Sequence, residues 1–225
     1  MDSGRRRGHR APDGGPDYAS RVDASPVELR VLGCLIEKQR TTPDAYPLSL
    51  NALRLACNQS TNRDPVVGYD EETIRAALQR LGGRGWTRLA SGPGSRAVKY
   101  RHLFGEALGL DDGHLALLAV LMLRGPQTLG ELKSRTERLH RFESLAAVEE
   151  ALIVLGEREL VARLPRRPGQ KEERFAQLLG GEAGDVEGSV AAPAAAPVAD
   201  DRLTRLERRV DALEDELGEL RARAG

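Results

Sequence analysis

The feature that most narrows the fold of this chain is an internal repeat. The run Ile74-x-x-Ala77-Leu78-x-x-Leu81-Gly82-x-Arg84 returns as Val148-x-x-Ala151-Leu152-x-x-Leu155-Gly156-x-Arg158, at a constant spacing of 74. Gly94, Lys99 and Tyr100 return as Gly169, Arg174 and Phe175 at spacing 75, and upstream Pro47, Leu50 and Leu53 return as Pro126, Leu129 and Leu132 at spacing 79. The register drifts only where loops are expected. Coincidence between leucine-rich helices is a poor account of a shared order of helix, glycine stop and hairpin turn, so the chain reads as two copies of one small unit.

The first copy shows what that unit is. Ser25-Pro26 offers a helix cap followed by proline at the first helical position. Leu29, Leu32, Leu35 and Ile36 share one face of a helix over 27–39. Pro43 and Pro47 interrupt the helix, and a second one is expected over 49–57. A polar loop follows, then Asp70 as cap of a third helix with Ile74, Ala77, Leu78 and Leu81 inward, stopped by Gly82, Gly83 and Gly85. Residues 86–90 and 96–101 flank a Ser-Gly-Pro-Gly-Ser turn and read as a hairpin, with Val98 and Tyr100 toward the core and Lys99 and Arg101 away from it. Helix, helix, helix, hairpin is the winged-helix order. The expected architecture is mainly α with small β-hairpins: two tandem winged-helix domains over 25–107 and 108–179. A tail over 1–24 has almost nothing to bury and is expected to be disordered, and a Gly/Ala/Pro linker covers 180–200.

The last segment, 201–225, changes period again. Leu203, Leu206, Val210, Leu213, Leu217 and Leu220 alternate spacings of three and four, the seam of a short coiled coil. With Leu203, Val210 and Leu217 at a, the g residues Arg202, Arg209 and Glu216 face Glu207, Glu214 and Arg221 at e, so all three pairings in a parallel dimer are opposite in sign. The expectation is a weak parallel homodimer, the alternatives being a solvated single helix or one packed on its own domains; three heptads alone are marginal.

Composition removes several classes of function. Two cysteines, Cys34 and Cys57, fall in helical patterns and form neither a metal motif nor a secreted disulfide framework; the four histidines are scattered, so no metal and no cofactor are expected. No apolar stretch approaches the length of a membrane span, and the basic N-terminus lacks the apolar core of a signal peptide, so a cytoplasmic protein is expected. No serine or cysteine has a histidine in a nucleophile context, and no phosphate-loop sequence occurs. No catalytic residue is assigned, and the chain is expected not to be an enzyme.

One stretch is distinctive beyond its periodicity. Val31 to Gln39, then Thr42-Pro43-Asp44, Tyr46-Pro47-Leu48-Ser49-Leu50-Asn51-Ala52-Leu53, Ala56-Cys57-Asn58-Gln59 and Asn62-Arg63-Asp64-Pro65-Val66 resemble the bacterial YceH-like family. The resemblance extends from Pro26 to Leu178 and implies tandem winged helices and a bacterial cytosolic origin. It implies no substrate, since that family has no established activity. Within the stretch, Asn58, Gln59, Asn62 and Arg63 have no periodic explanation: they either cap helices and staple the loop before the third helix, or form a recognition surface.

A winged helix commonly lays its third helix in the major groove and its hairpin on flanking phosphate. In the first copy that leaves Arg75 and Gln79 outward, side chains able to pair with base edges. Arg80, Arg84, Arg88, Arg96, Lys99 and Arg101 follow with no acidic residue between 80 and 102. Although formal net charge is zero overall, residues 26–105 hold 12 basic and 7 acidic side chains, about +5. The second copy differs: residues 111–179 hold 11 of each, and its third helix carries Glu149, Glu150 and Glu157, which phosphate would repel. There Ile153 and Val154 are adjacent, and only one is expected to face inward. Its wing offers Arg163, Arg166, Arg167, Lys171 and Arg174 for backbone phosphate. The leading reading is a double-stranded-DNA-binding protein using the first copy, with domain 2 available to a protein partner. The rival is a scaffold using winged helices as docking modules.

Overall fold

The computed structural model describes residues 23–90, 98–166 and 171–180, which all belong to one compact unit. The seam from Leu203 to Leu220, most of the N-terminal tail and most of the linker lie outside them.

Helix α1 (Pro26–Thr41) starts with a capping box: the Ser25 hydroxyl accepts from the Glu28 N–H and the Glu28 carboxylate accepts from the Ser25 N–H. A short 3-10 turn (Pro43–Ala45) leads to β1 (Leu48–Ser49), α2 (Leu50–Cys57) and α3 (Glu71–Gly83). The Asp70 side chain caps α3 as expected, but Gly82 and Gly83 are its last turn, and the chain leaves at Gly85 with φ +72°. Strands β2 (Thr87–Leu89) and β3 (Lys99–His102) pair antiparallel, and β1 adds to the far side of β3, giving the order β1-β3-β2. That third strand, only two residues long, carried no sequence signal of its own. Tyr100 packs against the core, but Val98 is 50% exposed, contrary to expectation. Alternation does put the two on one face; the core beneath that face ends at Tyr100.

After a five-residue helix α4 (Phe104–Leu108) the pattern recurs as α5 (Asp112–Arg124), α6 (Leu129–Thr136), α7 (Leu145–Glu157), β4 (Val161–Leu164) and β5 (Arg174–Gln177). Helices α2 and α6 correspond end to end at spacing 79, and α3 and α7 at spacing 74. Their caps correspond too, Ser49 with Thr128 and Asp70 with Ser144. The β1–β3 pair Leu48–Tyr100 has its counterpart in an isolated bridge between Gln127 and Phe175. The repeat seen in the sequence is therefore a repeat of structure. The protein is mainly helical with small antiparallel sheets.

One continuous apolar core runs through both copies. Its centre is the crossing of α1 and α5, where Leu32, Leu35, Ile36, Leu117, Leu118 and Leu121 are almost wholly inaccessible. Gly33 allows that crossing: a Cβ there would meet the Leu123 side chain at 3.0 Å and Met122 Cβ at 3.2 Å. Gly33→Ala should be close to neutral, because better helix propensity (about 1 kcal/mol) offsets a tight contact. Gly33→Val should cost about 1–3 kcal/mol through overpacking, read by urea denaturation. Equal stability of Gly33→Val and wild type would show that the helices separate freely.

Candidate nucleic-acid interface

Helix α3 buries Ile74, Ala77, Leu78 and Leu81 and leaves Arg75 and Gln79 exposed, as its period requires. On the adjoining sheet Arg88 and Arg101 are directly opposed across β2 and β3, a like-charge pairing that is unfavourable unless an anion or a carboxylate intervenes. Glu106 supplies one carboxylate, 2.8 Å from Arg101. Lys99 lies on the same face of β3, and Arg96 falls outside the described residues. Arg75, Gln79 and Arg88 are the expected residues left most open to a ligand.

Arg80 and Arg84 are partly committed elsewhere. They lie 3.3 and 4.0 Å from the Glu28 carboxylate, itself only 2% exposed. Burial alone would raise the Glu28 carboxyl, but the Ser25 N–H and hydroxyl, with Arg84 and Arg80, hold it below the usual carboxylate range. Arg84 also donates to the Asp23 carbonyl at 2.8 Å and lies over the Trp86 ring, 5.5 Å from its centre. These two arginines tie α3 and the hairpin to the start of α1. At the opposite end of α3, Asp70, Glu71 and Glu72 form an acidic first turn, which phosphate would avoid.

The second copy presents a different surface from the same skeleton. At spacing 74 the positions of Arg75, Gln79 and Arg80 are held by Glu149, Ile153 and Val154. Ile153 is 56% and Val154 40% exposed, so neither turns inward and neither touches the first copy as a core residue; Val148, Leu152 and Leu155 already fill the inward stripe. Arg163 pairs with Glu173 across the hairpin. Arg174 donates to the Pro126 carbonyl at 2.9 Å and to Glu131 at 3.0 Å. Arg166 and Lys171 are exposed, and Arg167 is outside the described residues.

The polar loop is a lock. Asn58 ends α2 and bridges both backbone groups of Tyr69, donating to its carbonyl at 2.7 Å and accepting from its N–H at 2.9 Å. Arg63 points inward: its side chain is 0% exposed and chelates Glu37 with Nη1–Oε1 at 3.1 Å and Nη2–Oε2 at 2.5 Å. It also donates to Gln59 Oε1, the Asn62 carbonyl and the Ala56 carbonyl. Stapling is what this geometry accomplishes. Asn62, exposed and held at φ 60°, is the member left at the surface. Beside it lie three arginines the sequence did not single out, Arg124, Arg135 and Arg138. Their only signal was their place around the ends of two helices, where cations are common in any case. Cys34 and Cys57 are buried and unpaired by disulfide. Among the described residues no group of side chains could hold a metal ion, and no helix is long and apolar enough to cross a membrane.

Fold and surface together define a class: a helical protein made of two copies of one helix-and-hairpin unit, basic on the first copy and apolar with acid on the second. The chain belongs to the family described as "Protein of unknown function, DUF480", whose model matches residues 24–170. This agrees with the resemblance drawn from the Val31–Val66 stretch. It is 52% identical over 203 residues to a UPF0502 protein of Pelobacter propionicus, covering 87% of this chain and 92% of that one. A UPF0502 protein of Solibacter usitatus is 50% identical over 195 residues (87% and 91% covered), and one of Geobacter metallireducens 50% over 191 (81% and 86%).

Proposed function

We propose that this chain is a non-enzymatic protein of two tandem winged helices that binds double-stranded DNA through α3 and the hairpin of its first copy, as a transcriptional regulator would. The observation that carries the reading is the contrast between equivalent helices. Arg75 and Gln79 stand exposed on α3 where α7 has Glu149 and Ile153, and Arg88 extends the basic surface onto the sheet. Arg75 and Gln79 suit base edges, and Arg88 and Lys99 suit phosphate. The C-terminal seam would join two such chains in parallel and, across the linker over 180–200, raise the effective concentration of the second chain at a neighbouring half-site.

Fluorescence anisotropy with a random duplex tests it. Two phosphate contacts, from Arg88 and Lys99, predict a loss of affinity of about 12-fold between about 50 and about 200 mM salt. Arg88→Ala should weaken binding and lower the salt slope by about one. Arg75→Ala should weaken binding as well, most for a cognate sequence. Absence of any salt-sensitive binding at micromolar protein would end the proposal.

A second reading has its own observation. Leu145, Ile153 and Val154 are exposed apolar side chains on one helix, and such a surface suits a protein partner. A scaffold would keep its partner when Arg88 and Arg101 are reversed in sign; a DNA-binding protein would lose its duplex.

A further inference from the structure

Between the two copies, where the loop carrying Asn62 meets α6, lies a cleft of about 300 Å³. It is in the lower part of the size range of small-molecule sites. Val120, Leu123 and Leu139 form an apolar wall. Arg124, Arg135, Arg138, Asn62 and Ser134 line the same cleft.

The charge of this cleft is out of balance. Glu37 lines it, but both of its oxygens are taken by Arg63. Glu131 engages Arg135 at 3.3 Å while also holding Arg174 at 3.0 Å. For Arg124 and Arg138 no carboxylate among the described residues lies within ion-pair distance. Burial, together with Arg135 and Arg63 nearby, pulls the Arg124 guanidinium below its usual range. Arg124 spends one donor on the Asn62 side-chain oxygen, which leaves the Asn62 amide NH2 free to donate. The loop is rigid where it matters: the Asp64 N–H donates to the Leu123 carbonyl at 2.8 Å, and Arg63 is clamped beneath it.

We infer that this cleft is a binding site for a small phosphate-bearing metabolite, its phosphate held by Arg124, Arg135 and Arg138 with Asn62 and Ser134 as neutral donors. Guanidiniums with neutral donors fit the several acceptor oxygens of a doubly charged phosphate better than a single carboxylate. The concave shape and the apolar wall favour a compact molecule with a nonpolar side over a nucleic-acid backbone. The site is separate from the α3 surface, and it stands or falls independently of DNA binding.

Isothermal titration of the full-length protein tests the inference, using inorganic phosphate, glucose 6-phosphate, adenosine 5′-monophosphate and succinate as probes. At least one phosphomonoester should bind more tightly than inorganic phosphate, and succinate should bind more weakly than either. Because Arg138 is exposed and makes no ion pair with a described residue, Arg138→Ala should fold normally and weaken binding by about tenfold, the worth of one charge-assisted hydrogen bond. Arg138→Glu should abolish binding with an unchanged circular dichroism spectrum, while Arg88→Ala leaves it intact. The inference is overturned if no phosphate-bearing probe gives heat at millimolar concentration. It is equally overturned if Arg138→Glu binds as wild type does, if succinate matches the phosphates, or if only duplex DNA responds to Arg138→Glu.

Discussion

Arg63→Met is expected to destabilise the protein by about 3–5 kcal/mol, the usual loss when one partner of a buried ion pair is removed. The Arg63 side chain is wholly inaccessible and makes hydrogen bonds to Glu37, Gln59 and the carbonyls of Ala56 and Asn62. Methionine fills similar space but answers none of those acceptors, and it strands the Glu37 carboxylate, whose side chain is 13% exposed. For a domain of this size the thermal midpoint should fall by about 6–20 °C. Glu37→Gln keeps an acceptor for the guanidinium and should cost less. The double variant Arg63→Met/Glu37→Leu should recover part of the loss, because no charge is then left alone. A midpoint for Arg63→Met within a degree of wild type would mean that the loop is held by something else.

Acid is expected to weaken the fold before the carboxylates titrate. Burial, with Arg101 and Arg40 near and only Glu106 opposing, pushes the His102 imidazole from 6.5 down to about 4. The geometry agrees: Nε2 donates to Gln39 Oε1 at 2.6 Å, and Nδ1 is buried with no partner among the described residues, so a second proton meets no acceptor there. The native ring therefore stays neutral while the unfolded chain takes up a proton as pH falls through about 6.5. Stability is complete above that value, lower by about 2 kcal/mol at pH 5 and by about 3 kcal/mol at pH 4. Below that, Glu28 and Glu131, both held under the usual carboxylate range, lose their share as well. Urea melts of wild type and His102→Gln across pH 7 to about 4.5 separate the effects. The variant should show a flatter profile, and parallel profiles would remove His102 as the cause.

Much of the skeleton was legible because periodicity and capping are local. Ser25, Asp70 and the stripe Ile74–Ala77–Leu78–Leu81 act in the structure as their spacing requires. The copy-to-copy spacings of 74 and 79 locate whole helices. What stayed hidden depends on partners distant in the chain. Nothing near Arg63 announces Glu37, 26 residues away. Nothing near Arg80 announces that Glu28 engages it from 52 residues off. A count of basic residues treats Arg75 and Arg80 alike, whereas one is open and the other ion-paired. Of Ile153 and Val154 one is expected inward on apolar content alone, yet both are exposed, because Val148, Leu152 and Leu155 already complete the buried stripe.

The core that runs unbroken from α1 into α5 has a consequence for how this duplication can be dismantled. Met122 and Leu123 of α5 press on Gly33 of α1, so cutting the chain between the copies would strip each half of a wall. The doubled unit has ceased to be modular. Its two outer helices are free to diverge into unlike surfaces because the division of labour is confined to positions that hold nothing up.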